Sequence, residues 1–333
     1  MKRAGNLMSR IAHSDNLCEA FLRAARGKGD RREVQVYREN ILERTSHLSE
    51  ELLDGSFQWG DYHRFTIYDP KKRTICAAPF RDRVVMHAMM RICHPVFEQY
   101  QIYDSYASRI DKGVYKALDR VQQYARRYEW FLKLDFVHYF DSIDHKVMAA
   151  QLARLFKDPF LLQYLQAQLD GYEVSPGRGL PIGNLTSQYM ANHYLSVGDH
   201  YLKEQLRVPA MVRYMDDIII FAHTKEQLAT YCHQYTVYAT EHLHLELHPP
   251  VCNRVARGVP FLGYVVYPSR VHLAQRSRHR FRRKLQALSS AYEDRQMDEQ
   301  KYRERMTALY AFTLHADSFA FRRKILEQQG ALP

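Results

Sequence analysis

Two adjacent aspartates in an apolar setting constrain the fold of this chain more than any other feature. Residues 211–221 read as two apolar half-strands with Asp216 and Asp217 between them. This pattern predicts a β-hairpin with an acidic tip. A carboxylate in apolar surroundings is costly unless it is paired or binds a metal ion. The hairpin is therefore a candidate metal site, and the alternative is an Asx-type turn without a ligand.

A third aspartate lies near the end of a predicted buried strand. Residues 130–136 form a nearly continuous apolar run that contains Asp135. If this strand pairs beside the hairpin, three carboxylates meet at one edge of a sheet. Such oxygen ligands suit Mg²⁺, and two ions about 3.5–4 Å apart can activate a 3′-hydroxyl and stabilise leaving pyrophosphate. The alternative for Asp135 is a cap at the strand end.

Charge and cysteine usage indicate the partner and the compartment. The chain has 48 Lys and Arg against 37 Asp and Glu, a net charge of +11, which favours nucleic acid first and an anionic membrane second. The five cysteines are scattered without a Cys-x-x-Cys pair, which predicts reduced thiols. No apolar run is long enough for a signal peptide or a spanning helix, so we expect a cytoplasmic protein that does not bind membranes. A basic stretch without acids contains Arg270, Arg276, Arg278, Arg280, Arg282, Arg283 and Lys284.

The sequence around the aspartates resembles the motifs of bacterial and phage reverse transcriptases. Tyr214-Met215-Asp216-Asp217 is similar to their catalytic signature. Three further blocks follow the family order, namely Ser105-Tyr106-Ala107-Ser108-Arg109, Lys133-Leu134-Asp135-Phe136 and Phe261-Leu262-Gly263-Tyr264. The ordered blocks fall within residues 60–268, and their order is more specific than any one of them.

The resemblance implies an α+β fold of the right-hand polymerase type. Residues 1–125 would form N-terminal helices and fingers. Residues 126–268 would form an RRM-like palm with an antiparallel sheet and a fingers-type helical insertion. Residues 269–333 would form a basic helical thumb.

The resemblance also assigns roles around the reaction centre. Asp135, Asp216 and Asp217 would be catalytic and would hold two Mg²⁺ ions, or Mn²⁺, with the backbone carbonyl of Phe136 as an extra ligand. The implied nucleotide-binding residues are Lys71, Arg73, Phe140, Ile182, Gly183 and Gln188. Phe140 stands where the family excludes a ribose 2′-hydroxyl, and its alternative is an ordinary core Phe. For the cations on the fingers hairpin, the alternative is a solvated charge run.

A further set of residues is implied in template and primer binding. These residues are Arg109, Tyr214, Met215, Phe261, Leu262, Gly263, Tyr264, Arg278 and Arg282. A buried structural arginine is the rival interpretation for Arg109. A basic but solvated helix is the rival for the arginine stretch after residue 268.

One block resembles a subgroup of the family, the reverse transcriptases of diversity-generating retroelements. At residues 179–188, Ile182 replaces the usual Gln and Gln188 replaces the usual Pro. Such enzymes copy a template-repeat RNA with errors at adenines and work with a small basic accessory variability protein. We therefore expect template RNA, RNA/DNA duplex, dNTPs and an accessory protein as partners. An anti-phage defence enzyme and a catalytically dead RNA-binding module are the alternatives.

The block at residues 245–252 departs from the family pattern. Many relatives carry there a Lys that protonates the leaving pyrophosphate, and this chain has none. His248 could act as the general acid instead, and a surface His is its alternative.

Overall fold

The computed structural model describes residues 2–68 and 72–328 and divides the chain into two compact units. Unit 1 comprises residues 1–109, 136–207 and 233–248, and unit 2 comprises residues 110–135, 208–232 and 249–333. Each unit is assembled from three separated segments of the chain. The predicted boundaries at residues 125 and 268 are not limits of these units, so fingers, palm and thumb stay a prediction.

Helices and antiparallel strands alternate along the described residues, as the expected α+β class requires. The helices are α1 (Met8–Ile11), α2 (Ser14–Ala25), α3 (Arg32–Glu39), α4 (Ile41–Asp54), α5 (Phe80–Tyr100), α6 (Val114–Ala125), α7 (Tyr139–Ser142), α8 (His145–Leu155), α9 (Pro159–Asp170), α10 (Leu185–Tyr194), α11 (Ser196–His200), α12 (Lys225–Leu243), α13 (Gln275–Glu293), α14 (Glu299–Leu314) and α15 (Phe319–Gln328). The strands are β1 (His63–Tyr68), β2 (Lys72–Ala77), β3 (Trp130–Leu134), β4 (Ala210–Tyr214), β5 (Asp217–Ala222), β6 (Val251–Arg254), β7 (Val259–Phe261), β8 (Tyr264–Val266) and β9 (Val271–Leu273).

Unit 1 is mainly helical and carries one β-hairpin. Helix α2 buries Leu17, Ala20 and Phe21 and packs against the long helix α5. Strands β1 and β2 pair antiparallel from His63–Ala77 to Tyr68–Lys72. This confirms the predicted hairpin, although its predicted turn and Lys71 lie outside the described residues.

The sequence predicts a helix from His145 to about Phe156, with Asp144 as its N-cap and Asp158-Pro159 at its end. Asp144 accepts hydrogen bonds from the backbone of Lys146 and Val147, which confirms it as the N-cap of α8. The pair Asp158-Pro159, interpreted as a helix stop, instead begins α9, with Asp158 as N-cap and Pro159 in the first turn. Proline is favoured there because its missing N–H has no helical partner at that position.

Unit 2 holds a four-stranded antiparallel sheet in the order β4-β5-β3-β6. Strand β5 is central because residues 218–221 are fully buried isoleucines and phenylalanine. Strand β6 was not predicted, because its sequence Val-Cys-Asn-Arg carries little apolar alternation.

A second sheet and a small helical group complete unit 2. Strands β7, β8 and β9 form the three-stranded sheet. The basic stretch lies on α13, whose residues Phe281 and Leu285 form a core with Ile325 of α15. This confirms the predicted helices after residue 268. No helix within the described ranges is long and apolar enough to cross a membrane.

Candidate active site

The turn between β4 and β5 places two of the three aspartates. Tyr214 and Asp217 form the last strand pair, so Met215 and Asp216 make a two-residue turn. Met215 has a φ of 56°, the left-handed conformation that such hairpin turns require. The buried Arg213 donates from Nη1 to the Met215 carbonyl at 2.9 Å and so braces the turn. Sequence reasoning missed Arg213.

The register of β3 brings the third aspartate to the same end of the sheet. Leu134 is paired with Ile218, so Asp135, the next residue of the chain, is level with Asp217. The negative charges of Asp135 and Asp216 also act on the Asp217 carboxyl and raise its pKa. The predicted convergence of three carboxylates at one sheet edge therefore exists in unit 2.

The carboxyl group of Asp217 is largely buried and has a raised pKa. Its side chain is 18% exposed, and burial raises its pKa to about 6 against the opposing charge of Lys133. Lys133 Nζ donates to Asp217 Oδ2 at 2.8 Å. The other oxygen, Oδ1, is buried and has no hydrogen-bond partner among the described residues. Sequence reasoning missed Lys133, although its position two residues before Asp135 puts both side chains on one face of β3.

The donor set of this site fits a divalent cation. A buried carboxylate oxygen without a partner is costly, and a metal ion supplies the missing interaction. In the described part of the chain, no three His, Cys, Asp or Glu side chains are grouped closely enough to hold a metal ion by themselves. Mg²⁺ commonly binds through one or two carboxylates and keeps waters and substrate phosphates. An open set of aspartates is therefore compatible with it.

The predicted nucleotide-binding residues belong to unit 1. The Ile182 carbonyl accepts from the Cys76 backbone at 2.8 Å, which ties the loop before α10 to β2. Gly183 in this loop has a φ of 121°, and a Cβ there would lie 2.9 Å from a side-chain carbon of Ile75. Glycine is therefore required by the close approach as well as by the backbone.

The other residues of this predicted set show mixed exposure. Phe140 is half-buried on α7, and its carbonyl accepts from the Leu180 backbone at 2.8 Å, which joins α7 to the same loop. Gln188 is half-buried on α10, and Arg73 is exposed on β2. Lys71 lies outside the described residues. Binding of a nucleotide by these residues stays a prediction.

The guanidinium group of Arg109 forms hydrogen bonds within unit 1. Its Nε and Nη2 donate to the Glu98 carboxylate at 2.7–3.1 Å, and its Nη1 donates to the Ser105 carbonyl at 2.9 Å. The side chain is only 8% exposed. These contacts support the structural alternative, because the guanidinium donors are occupied within the fold. A template contact from Arg109 stays a prediction.

The predicted primer-binding hairpin joins β7 to β8. Phe261 and Tyr264 are buried, and the Tyr264 hydroxyl donates to the Phe312 carbonyl at 2.6 Å. Leu262 and Gly263 both have positive φ and form the two-residue turn, which is the part that reaches solvent. The buried aromatic rings therefore shape the hairpin, and the turn is the portion open to a ligand.

The remaining predicted contacts differ in exposure. Tyr214 and Met215 are half-buried beside the aspartates. Arg278 and Arg282 are exposed on α13, with guanidinium groups 6.0 and 5.5 Å from the Phe321 ring. Binding of template or primer by these residues stays a prediction.

Two remaining predictions concern unit 1. His248, the alternative general acid, is exposed. Phe136 forms a backbone bridge with Leu247, and its carbonyl as a metal ligand stays a prediction.

Comparison with known proteins identifies the relatives of this chain. A family described as reverse transcriptase (RNA-dependent DNA polymerase) matches residues 69–266, more than half of the chain. Protein YkfC of Escherichia coli (strain K12) is 27% identical over 173 residues, which cover 47% of this chain and 45% of that protein. Nuclear intron maturase 2, mitochondrial, of Arabidopsis thaliana is 25% identical over 146 residues, which cover 39% and 20%. The chain thus spans less than half the length of these relatives.

A solved structure shares the fold. The apo telomerase from Candida tropicalis superposes with a TM-score of 0.50 at 10% identity, covering 65% of this chain and 49% of that one. Together with the mixed helices and antiparallel sheets, this likeness confirms the predicted α+β, right-hand polymerase fold.

Proposed function

The chain belongs to the reverse transcriptase (RNA-dependent DNA polymerase) family, and from this premise we propose that it extends DNA on an RNA template. The observation that carries the proposal is the meeting of Asp135, Asp216 and Asp217 at one end of the sheet. The Oδ1 atom of Asp217 supports it, because this atom has no hydrogen-bond partner in the described part of the chain and a divalent cation would supply one.

In the proposed reaction the three aspartates would hold two divalent ions, Mg²⁺ or alternatively Mn²⁺. When bound, such ions lower the pKa of the attacking 3′-hydroxyl and neutralise charge on the leaving pyrophosphate. The chain's own part is to fix the carboxylates. Arg213 braces the turn that carries Asp216, and Lys133 orients Asp217 through Oδ2 while leaving Oδ1 available.

Nucleotide selection is assigned to the residues that the sequence predicts for it. We assign a ribose-excluding role to Phe140 and phosphate contacts to Arg73 and Lys71. Gly183 and Gln188 would contact the nucleotide. Ile182 offers only an aliphatic side chain, and discrimination falls where directed polar contacts are missing. Ile182→Gln is therefore expected to lower misincorporation at template adenines, and an unchanged error spectrum would contradict this role.

The finer assignment is a reverse transcriptase of a diversity-generating retroelement, supported by the Ile182 and Gln188 replacements. The partners would be a template-repeat RNA, its RNA/DNA duplex and a small basic accessory protein. A net charge of +11 and the exposed Arg278 and Arg282 support nucleic-acid binding. Five scattered cysteines without a Cys-x-x-Cys pair support a reducing cytoplasm in a bacterial or phage-infected cell.

One experiment tests the activity and the subgroup together. Purified protein with its co-purified RNA is incubated with Mg²⁺ and dNTPs, with EDTA and Asp135→Asn as controls, and the product is sequenced. A cDNA with adenine-specific errors supports the retroelement. A faithful or repetitive cDNA favours the defence enzyme. No cDNA from the unaltered protein, with RNA still bound, would favour the RNA-binding module.

A further inference from the structure

A polar cavity of about 570 Å³ lies within unit 1. The loop at residues 55–62 and Arg64 of β1 form one wall. Gln163, Tyr164, Ala167 and Gln168 of α9 and the following Gly171 form the other. Its volume is in the range of cavities that bind drug-sized ligands.

The loop wall is fixed to its surroundings. Trp59 Nε1 donates to the Tyr164 carbonyl at 3.0 Å, and the Gly60 N–H donates to Asp82 Oδ2 at 2.7 Å. The Trp59 indole also packs edge-to-face on Phe57, with ring centroids 4.9 Å apart. A half-buried indole is thus held in place beside the cavity, and a preformed aromatic surface binds a flat ring with little ordering cost.

Gln168 on the opposite wall has an unexplained amide. The residue is only 5% exposed, and neither its Nε2 nor its Oε1 has a hydrogen-bond partner in the described part of the chain. Leaving both atoms of a buried amide unpaired lowers the stability of the fold. A primary amide presents one donor and one acceptor side by side, which is the pattern that pairs with the edge of a nucleobase.

The charge around the cavity suits a nucleic-acid strand. Arg64 is exposed at the cavity wall with its guanidinium 5.6 Å from the Tyr172 ring. The same hairpin exposes Lys72 and Arg73. One acid, Asp61, also lines the cavity, and its carboxylate can accept from an exocyclic amine or a ribose hydroxyl.

We infer that this cavity binds one unpaired base of single-stranded RNA. Trp59 supplies the stacking surface, the Gln168 amide pairs with the base edge, and Arg64 contacts the backbone phosphate. Stacking of a base on an aromatic ring combined with a cationic contact is the common mode for single strands. The inference rests on the proposed function, because the RNA is the template of that reaction.

The decisive variant is Gln168→Met, which keeps the length of the side chain and removes the amide. Binding of a labelled 12-nucleotide oligoadenylate is measured by fluorescence anisotropy, and thermal unfolding is measured on the same protein. We expect the dissociation constant to rise about five- to 100-fold, while the unfolding temperature stays equal or rises because an unpaired buried amide is gone. A purely structural Gln168 would give the second result without the first.

Gln166→Met is the matched control. It removes an amide from the same helix, where Gln166 does not line the cavity and donates to Asp170 Oδ1 at 2.7 Å. RNA binding by this control should equal that of the unaltered protein.

Further outcomes separate this inference from the proposed function. Unchanged RNA affinity in Gln168→Met, with cDNA still made by the unaltered protein, overturns the inference alone. Weakened RNA affinity without cDNA from the unaltered protein leaves the cavity assignment standing and overturns the polymerase. Saturable binding of AMP that Gln168→Met abolishes, without an effect on the oligonucleotide, overturns the assignment to RNA in favour of a free nucleotide.

Discussion

Replacement of Asp217 by Asn is expected to stabilise the metal-free protein while removing the polymerase activity proposed above. The carboxylate is 18% exposed, is acted on by the charges of Asp135 and Asp216, and has no hydrogen-bond partner for Oδ1 among the described residues. Asn removes the buried negative charge, and its carbonyl can still accept from Lys133. A site built to bind a cation thus costs stability when the cation is absent.

The size of the effect follows from the pKa of Asp217. A rise from its ordinary value of 3.8 to about 6 corresponds to about 3 kcal/mol. Between these values the folded protein holds a proton that the unfolded chain has lost, so stability falls as pH rises and then levels off. The penalty is complete above about pH 6. Because Lys133 loses a charged partner, we expect a net gain of about 1–3 kcal/mol at pH 8.

Urea unfolding in EDTA measures this gain. The difference between Asp217→Asn and the unaltered protein should be largest at pH 8 and fall to about half by pH 5. The control is Asp30→Asn, which removes one charge from an exposed loop. Added Mg²⁺ should stabilise the unaltered protein and not Asp217→Asn. A variant that is less stable at pH 8, or a difference independent of pH, would refute the reasoning.

Three further predictions concern unit 1. Arg109→Met should cost about 3–5 kcal/mol in urea unfolding because it strands the Glu98 carboxylate; unchanged stability with weaker template binding would instead support a template contact. Asp144→Ala should cost about 1 kcal/mol through the lost helix cap. Burial opposes ionisation of Asp144, but the hydrogen bonds from His244 and from the helix cap hold its pKa below the usual value. The loss of stability in Asp144→Ala should therefore persist at pH 7 and shrink as pH falls below about 4. A loss of stability that does not change with pH would argue against this role of the Asp144 carboxylate. Gly183→Ala should lower stability by about 1–3 kcal/mol, since its φ of 121° and the contact with β2 both exclude a Cβ; an unchanged melting temperature would contradict it.

The sequence predicted the positions of the three aspartates in the sheet because local residue patterns determine the strands and the turn that carry them. An acidic pair between two apolar half-strands favours a hairpin whichever residues of the half-strands pair. Asp135 directly follows a strand that is apolar enough to be buried. Lys133 was missed because its bond to Asp217 depends on which strands are neighbours in the sheet. That order is a long-range property, although the shared face of Lys133 and Asp135 was available as a clue.

The proposed base-binding cavity was missed for a different reason. The pair Asp158-Pro159 was interpreted as the end of a helix, whereas Asp158 accepts from the backbone of α9 and begins it. Because α9 is not predicted from the sequence, no prediction places Gln168 on the wall of a cavity. An amide that is distinguished only by its lack of hydrogen-bond partners cannot be recognised from the residues next to it in the sequence.

The alternation of the chain between the two units has a consequence for biosynthesis. The chain passes from one unit to the other after residues 109, 135, 207, 232 and 248. On a ribosome, where chains emerge from the N-terminus and domains fold as units, unit 1 lacks its last segment until residue 248 has been made. The four-stranded sheet likewise stays incomplete until β6 has been synthesised. Neither unit can be obtained from one contiguous fragment, so a nascent chain stalled before residue 233 would expose the surfaces that both units later bury.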